Sequence, residues 1–327
     1  MEPLVDPHGR TVRDLRISVT DRCNLRCRYC MPAEGMDWLD RSDLLSFEEI
    51  ERVARICVER FGFDGIRLTG GEPTVRAHLP VLVEKLAALG TDLSLTTNGA
   101  TLRLVAADLR AAGLRRINIS LDSLRAETFF AVTRRHALDQ VLDGIDAAVE
   151  AGFAPVKVNC VLIKGVNDDE IVDFATFGRE KGVTVRFIEF MPLDADDGWS
   201  PATVVPAADV IAAIGAVYPL EPVDVRGSAP AERFRYADGR GEIGVIASVT
   251  QSFCGNCDRV RLTADGMFRN CLFAVRETDL RSVLRAGGSD DDVAAAIAAD
   301  VGNKWAGHAI GQVDFVRPAR SMSQIGG

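Results

Sequence analysis

Short apolar runs of strand type recur through the first 193 residues, each followed by a longer stretch with apolar positions at helical spacing. Six such runs stand out: LRISVTD at 15–21, GIRLTGG at 65–71, LSLTTNG at 93–99, RINISLDS at 116–123, VKVNCVLIKG at 156–165 and VRFIEFMP at 185–192. Helical patterns lie between them near 46–61, 79–89, 101–112, 137–151 and 168–181. The first opens with Ser46 three residues before Glu49, the pattern of a capping box. Alternation of this kind predicts successive βα units around a parallel sheet. Six strands can curl into an incomplete barrel or stay open, and periodicity does not choose between the two.

The pattern breaks after residue 193. The segment LDADDGWSPATVVP is rich in Asp, Pro and Gly and reads as a linker before a helix near 206–215. FRYADGRGEIGVIAS reads as a hairpin turning at Asp238-Gly239-Arg240-Gly241, a second turn falls at Asp265-Gly266, and two helical patterns follow. The polar tail ARSMSQIGG reads by itself as a frayed terminus. The chain therefore divides into a core at 1–193 and a C-terminal region at 194–327.

Charge and length narrow the ligands more than the fold. Thirty-eight Lys and Arg against 47 Asp and Glu leave a net charge of −9, so nucleic acid binding by bulk charge is not expected and an anionic ligand needs a local basic site. The opening MEPLVDPHGR has no apolar segment, and no run approaches the roughly 18 apolar residues of a membrane span. A cytoplasmic protein with no membrane partner is the expectation.

Within a parallel α/β fold, ligands bind at the carboxyl ends of the strands. The unusual residues of this chain collect there: Cys23 to Cys30 after the first run, Gly70-Gly71-Glu72-Pro73 after the second, Thr96 to Gly99, Ser120 to Ser123, and Met191-Pro192. Six of the eight cysteines form two groups, Cys23, Cys27 and Cys30 spaced C-x3-C-x2-C, and Cys254, Cys257 and Cys271 spaced C-x2-C-x13-C. Cys57 and Cys160 sit in apolar patterns and read as small buried hydrophobes. Thiolates select zinc or iron–sulfur clusters, and three thiolates on a cluster leave one iron free for an outside ligand. The alternative is zinc completed by a histidine. His8 and His78 lie at no conventional ligand spacing from the first group, no histidine falls between 254 and 271, and His308 is too distant in sequence to assign.

The segment Cys23-Asn24-Leu25-Arg26-Cys27-Arg28-Tyr29-Cys30 resembles the radical S-adenosylmethionine motif, and Thr69-Gly70-Gly71-Glu72-Pro73 resembles the motif that holds the methionyl amine. More narrowly, DLRISVTDRCNLRCRYCMP, RLTGGEPTVR, TTNG, SLDS, FIEFMP, CGNCDRVRLTADG with Cys271, and the terminal Gly326-Gly327 occur in the order of the GTP 3′,8-cyclase family, also called molybdenum cofactor biosynthesis protein A. The resemblance spans nearly the whole chain.

It implies an incomplete (β/α)6 barrel of TIM type whose C-terminal extension carries a second iron–sulfur cluster. It implies a 4Fe–4S cluster on Cys23, Cys27 and Cys30 that cleaves S-adenosylmethionine to a 5′-deoxyadenosyl radical, and a second on Cys254, Cys257 and Cys271 that takes the guanine of GTP. The radical removes the ribose H3′, C3′ joins C8, and the cyclised dihydroguanosine triphosphate begins molybdenum cofactor synthesis. Family contacts map onto Tyr29, Gly71, Ser120 and Met191 for S-adenosylmethionine, and onto Arg16, Arg67, Thr96, Lys157, Arg259 and Arg261 for GTP. Gly326 and Gly327 are implied to reach the active site and, with Arg259 and Arg261, to serve turnover. An external electron donor, a downstream cyclic pyranopterin monophosphate synthase and a homodimer complete the implication. Taken singly, the residues have plainer readings: a Gly-Gly turn or close approach to a ligand, a strand-end hydroxyl at Ser120, loop packing at Tyr29, a gap-filling Met191. Two other functions fit parts of the sequence: a radical enzyme modifying a peptide, and a zinc module without catalytic activity.

Overall fold

The computed structural model describes residues 2–193, 198–223, 227–310, 312–313 and 315–326. Its first half alternates strands and helices: β1 (Asp14–Ser18), α1 (Phe47–Phe61), β2 (Gly65–Thr69), α2 (Leu79–Ala87), β3 (Asp92–Thr97), α3 (Ala106–Ala111), β4 (Arg116–Ser120), α4 (Ala126–Thr133), α5 (Leu138–Glu150), β5 (Val156–Leu162), α6 (Ile171–Lys181) and β6 (Thr184–Glu189). The C-terminal region adds α7 (Ala207–Gly215), β7 (Leu220–Pro222), β8 (Glu232–Tyr236), β9 (Glu242–Ile246), β10 (Arg259–Leu262), β11 (Met267–Arg269), β12 (Thr278–Asp279), α8 (Leu280–Arg285), α9 (Asp290–Val301) and α10 (Met322–Ile325).

Local chemistry explains the better-defined elements. Ser46 and Glu49 close the expected capping box on α1, five apolar residues of that helix are buried on one face, and Gly62 ends it with φ 74°. Along the strands the burial alternates. Leu15, Ile17, Ile66, Leu68, Ile117, Ile119, Val158 and Cys160 join the helices in one core, each large side chain contributing roughly 1.5–3 kcal/mol of burial. Cys57 and Cys160 are fully buried in it, as their apolar settings predicted.

Strands β1 to β6 are parallel and lie side by side in chain order, which makes the incomplete (β/α)6 barrel. The C-terminal region does not build a sheet of its own. Its β10 pairs in parallel with β1 and its β9 in parallel with β6, so the full order is β12-β11-β10-β1-β2-β3-β4-β5-β6-β9-β8-β7. Strands β8 and β9 are the expected hairpin. Pairing β10 beside β1 brings Arg259 and Arg261 into register with Asp14 and Arg16.

Three expectations are corrected. The strands stop two to three residues short of the apolar runs, because the mouth residues turn out of the ladder. Helix α4 lies where no helix was expected. The tail is not frayed: Ser321 caps α10 and Ile325 is 1% exposed. Residues 194–197, at the expected domain boundary, and Gly327 lie outside the described residues. Among the described residues no helix is long and apolar enough to cross a membrane.

Candidate active site

The first cysteine group sits on the loop that leaves β1. The amides of Cys30 and Met31 both donate to the carbonyl of Cys27 at 2.9 Å, and those of Arg26 and Arg28 donate to Thr133 and Val132, so the loop is zipped to the end of α4. The Gly70-Gly71-Glu72-Pro73 loop crosses directly over it. Gly71 donates to Thr20 O at 2.7 Å and Glu72 to Arg22 O at 2.8 Å. A Cβ on Gly71 would lie 2.4 Å from the carbonyl oxygens of Asp21 and Arg22, and one on Gly70 would lie 2.8 Å from Thr20 O. This adds a steric reason for both glycines that the sequence did not disclose: two backbones cross here.

Glu72 is wholly buried and accepts from Thr74, from the Thr97 hydroxyl at 2.7 Å and from the Asn98 amide at 2.6 Å. Burial still pushes its carboxyl up. One side chain thereby ties the loop after β2 to the loop after β3. Asn98 in turn reaches Asn24 at 2.7 Å and the Cys23 sulfur at 3.7 Å.

The second group faces the first across one cavity, which is lined by all six cysteines together with Tyr29, Gly71, Thr96, Ser120, Met191, Arg16, Arg67, Arg186, Arg259 and Arg261. Lys157 is not in that lining. It lies one pleat below Asn159 on the same face of β5 and feels the charges of Arg186, Arg116 and Arg67. Gly326 is set beside the strand ends. A Cβ there would meet Thr69 Oγ1 at 2.6 Å and Ser18 Cβ at 3.1 Å, and its carbonyl accepts from the Arg261 guanidinium.

The lumen is cationic. Arg261, Arg16, Arg67, Ser94 and Arg116 occupy successive register positions across five strands. Arg16 is pushed far below its usual range by burial and by the charges of Arg261, Arg67 and Arg259, and among the described residues its Nε has no hydrogen-bond partner. Among the described residues Arg186, 7% exposed, bonds only neutral oxygens, Asn118 Oδ1 at 2.6 Å and Asn159 Oδ1 at 2.9 Å. Burial first, then neighbouring cations, bring Arg186 down to about 9, Arg261 to about 10 and Lys157 to about 8. So many charges under cover are stable together when an anion joins them.

The two thiol groups differ. Burial raises Cys23 to about 11 and Cys30 to about 12. At the second group burial also raises the thiols and is the largest single effect, but hydrogen bonds from His308 and Ser252, with the electrostatic pull of His308, together outweigh it and bring Cys254 to about 6. Arg259 and Lys304 together do so for Cys257, the Arg259 Nε and terminal nitrogen lying 3.4 and 3.2 Å from the sulfur, while Cys271 stays raised by burial. Among the described residues no three His, Cys, Asp or Glu side chains converge as one coordinated ion requires. Each three-thiol set lines the shared cavity, and a cluster held by three thiolates keeps one iron open to an outside ligand.

Comparison with known proteins accords with this geometry. A family model described as Radical SAM superfamily matches residues 17–178, and one described as Molybdenum Cofactor Synthesis C matches 183–310. The GTP 3′,8-cyclase of Streptomyces coelicolor is 49% identical, the alignment covering 99% of this chain and 96% of that one. That of Rhodopirellula baltica is 50% identical over 99% and 92%. The chain belongs to the GTP 3′,8-cyclase family. In fold alone it is similar to Streptococcus suis SuiB bound to S-adenosylmethionine, with TM-score 0.58 and 15% identity over 85% of this chain and 67% of that one. Methylornithine synthase gives TM-score 0.55 and 17% identity over 88% and 86%.

Sequence reading missed three residues of this GTP 3′,8-cyclase family site. Arg186 was legible as a charge inside the apolar run VRFIEF. Asp122 accepts from the Tyr29 hydroxyl at 2.6 Å and the Val161 amide at 2.9 Å, and burial raises it to about 6. Its place in SLDS gave no hint of Tyr29 as partner. His308 reaches Cys254 across more than 50 residues, which spacing does not reveal.

Proposed function

We propose that this chain cyclises GTP to (8S)-3′,8-cyclo-7,8-dihydroguanosine 5′-triphosphate, using S-adenosylmethionine, with Cys23, Cys27 and Cys30 holding one 4Fe–4S cluster and Cys254, Cys257 and Cys271 another. The clusters, when bound, supply the electron that cleaves S-adenosylmethionine to a hydrogen-abstracting radical and an open iron for the guanine. The observation that carries the reading is the buried cationic lumen between the two thiol groups.

The protein's own residues then have physical tasks. Arg16, Arg67, Arg259 and Arg261, joined by Lys157 and Arg186, meet the triphosphate with forked donors at low dielectric, where charge-assisted bonds are strong. Tyr29, Gly71, Ser120 and Met191 would hold S-adenosylmethionine and Thr96 would contact GTP; all five line the cavity. The Gly326 carbonyl orients Arg261. Holding both reactants fixed in one covered cavity is what a radical transfer needs, because alignment replaces diffusion and water is kept out. A peptide substrate would leave the lumen's charges without a partner, and that is why we set the peptide reading aside.

The reading carries with it an external electron donor, a downstream cyclic pyranopterin monophosphate synthase, a cytoplasmic setting and a homodimer. It is tested by anaerobic reaction of the iron-reconstituted, dithionite-reduced protein with S-adenosylmethionine, with and without GTP. Formation of 5′-deoxyadenosine together with a cyclised isomer of GTP supports it; cleavage that leaves GTP untouched refutes the substrate.

Two outcomes follow for binding. Replacing Arg259 and Arg261 together with Ala removes two charge-assisted anchors and is expected to weaken GTP binding by at least ~10²-fold, measured by equilibrium dialysis with iron per chain counted alongside, because Arg259 also bonds the Cys257 sulfur. The second concerns pH. Lys157 sits near 8 because burial and the charges of Arg186, Arg116 and Arg67 disfavour its ammonium form. The protonated form binds phosphate, so affinity is fully present below the folded value and declines as pH rises through it. GTP affinity is expected to fall between pH 7 and 9 in the parent and to fall less steeply in Lys157→Met, where Arg186, near 9, still titrates. An equal slope in both would take Lys157 out of the phosphate site.

A further inference from the structure

The second cysteine group is drawn from distant stretches of chain, and a short turn does not by itself hold them in place. Cys254 and Cys257 lie on one turn, Cys271 follows β11, and residues 304–308 bring His308 to Cys254. Two buried cations outside the lumen lie where these stretches meet.

Arg10, on the N-terminal segment, is 8% exposed and is held by Asp6 through an ion pair of 2.5 Å. Its guanidinium donates to the carbonyl of Cys254 at 2.6 Å, of Ala306 at 2.8 Å and of Trp305 at 2.5 Å. Lys304, 4% exposed, donates to the carbonyls of Arg259 and Asn270 at 2.6 Å each. Arg259 lies two residues after Cys257, and Asn270 immediately precedes Cys271. Every cysteine of the group therefore has a nearby backbone carbonyl tied to one of the two cations. The cations are tied to each other as well, because Arg10 holds the carbonyl of the residue after Lys304.

Close packing tightens the arrangement. A Cβ on Gly307 would lie 3.0 Å from Cys254 Cβ and 3.5 Å from its sulfur, so the 304–308 stretch passes directly against that cysteine. The Ile310 amide donates to His308 Nδ1 at 3.4 Å, which leaves Nε2 as the ring's other polar atom. Lys304 is fixed in turn by its amide, which donates to Val301 O at the end of α9.

We infer that Arg10 and Lys304 are the positioning residues of the second cluster: by holding the carbonyls beside Cys254, Cys257 and Cys271 they fix three separate stretches as one ligand set, with the N-terminal segment as its outer clamp. The inference rests on the two-cluster reading above. Among the described residues neither side chain lines the cavity, and neither bonds the first cysteine loop, so their loss leaves the first group intact. Carbonyl acceptors also suit the purpose. Asp6 neutralises Arg10, whereas Lys304, held by the carbonyls of Arg259 and Asn270, keeps its charge to balance a net-anionic cluster of three thiolates.

The test uses the full chain, reconstituted anaerobically, as the parent and as Arg10→Ala, Arg10→Lys and Lys304→Met. Iron per chain is counted, electron paramagnetic resonance spectra are recorded with and without GTP, and 5′-deoxyadenosine is measured without GTP as a report on the first cluster. The parent is expected to hold about eight irons. Arg10→Ala and Lys304→Met are expected to hold about four, to lose the GTP-dependent spectral change and to keep GTP-free cleavage. Arg10→Lys, which keeps the charge but not the three-way fork, falls between, with second-cluster occupancy or affinity lowered ~10-fold or more. Variants that hold about eight irons with the GTP-dependent change intact overturn the inference. Loss of both clusters alike also overturns it, since Arg10 and Lys304 would then be general braces of the fold. A parent holding only about four irons would refute the two-cluster reading itself.

Discussion

Cys27→Ala is expected to form no detectable 5′-deoxyadenosine under conditions where the parent does. Cys27 is the middle member of the first group, and its carbonyl accepts from the amides of Cys30 and Met31. Those backbone bonds do not involve the side chain, so the loop is expected to keep its path without the sulfur. What is lost is one of three thiolates, and two do not replace three: a corner iron without its ligand is labile, and a site that needs one open iron does not tolerate a second. Cys57→Ala is the matched control. That thiol is buried in the α1 core, away from the cavity, so its removal costs packing and leaves cleavage in place. The experiment compares iron content and 5′-deoxyadenosine in both variants. Cleavage retained by Cys27→Ala would move the first cluster to other residues.

What the sequence disclosed and what it withheld divide along a physical line. The six strands and most helices were legible because burial of one face imposes a period on the chain, and the cysteine groups were legible because their chemistry is local. Helix α4 was missed because AETFFAVT is short and its aromatic and β-branched residues favour strands; it is helical because α4 packs beside α5 and its final turn accepts the amides of the first cysteine loop. Pairing partners were hidden for another reason. An apolar run reports that a strand is buried but not which strand lies beside it, so nothing in RVRL foretold that β10 joins β1 and sets Arg261 next to Arg16. The lumen is thus a product of topology: each arginine is an unremarkable charge in its own strand, and the register makes them a site. His308 and Arg10 belong to the same class, being joined to Cys254 only by the folded chain.

The tail gives the second large effect. Gly326→Ala is expected to lower GTP cyclisation by ~10²-fold while GTP-free cleavage of S-adenosylmethionine continues. The residue adopts φ 81°, a left-handed conformation that costs an L-residue roughly 1–2 kcal/mol. The added Cβ would also press on Thr69 Oγ1 at 2.6 Å and on Ser18 at 3.1 Å, both at the ends of central strands that do not give way. Helix α10 is one turn long, anchored by the Ser321 cap, by Ile325 and by the bond from Arg261 to the Gly326 carbonyl, so its docking free energy is small and a penalty of this size releases it. Release frees Arg261 from its orienting partner and removes the Ser323 hydrogen bonds to the Cys30 sulfur, while the backbone bonds that tie the first cysteine loop to α4 stay in place. Cleavage and cyclisation should therefore part company, which a loss of fold would not produce. The measurement is the ratio of 5′-deoxyadenosine to cyclised nucleotide in parent and variant. An unchanged ratio at full rate would show that Gly326, for all its close packing, has no part in turnover.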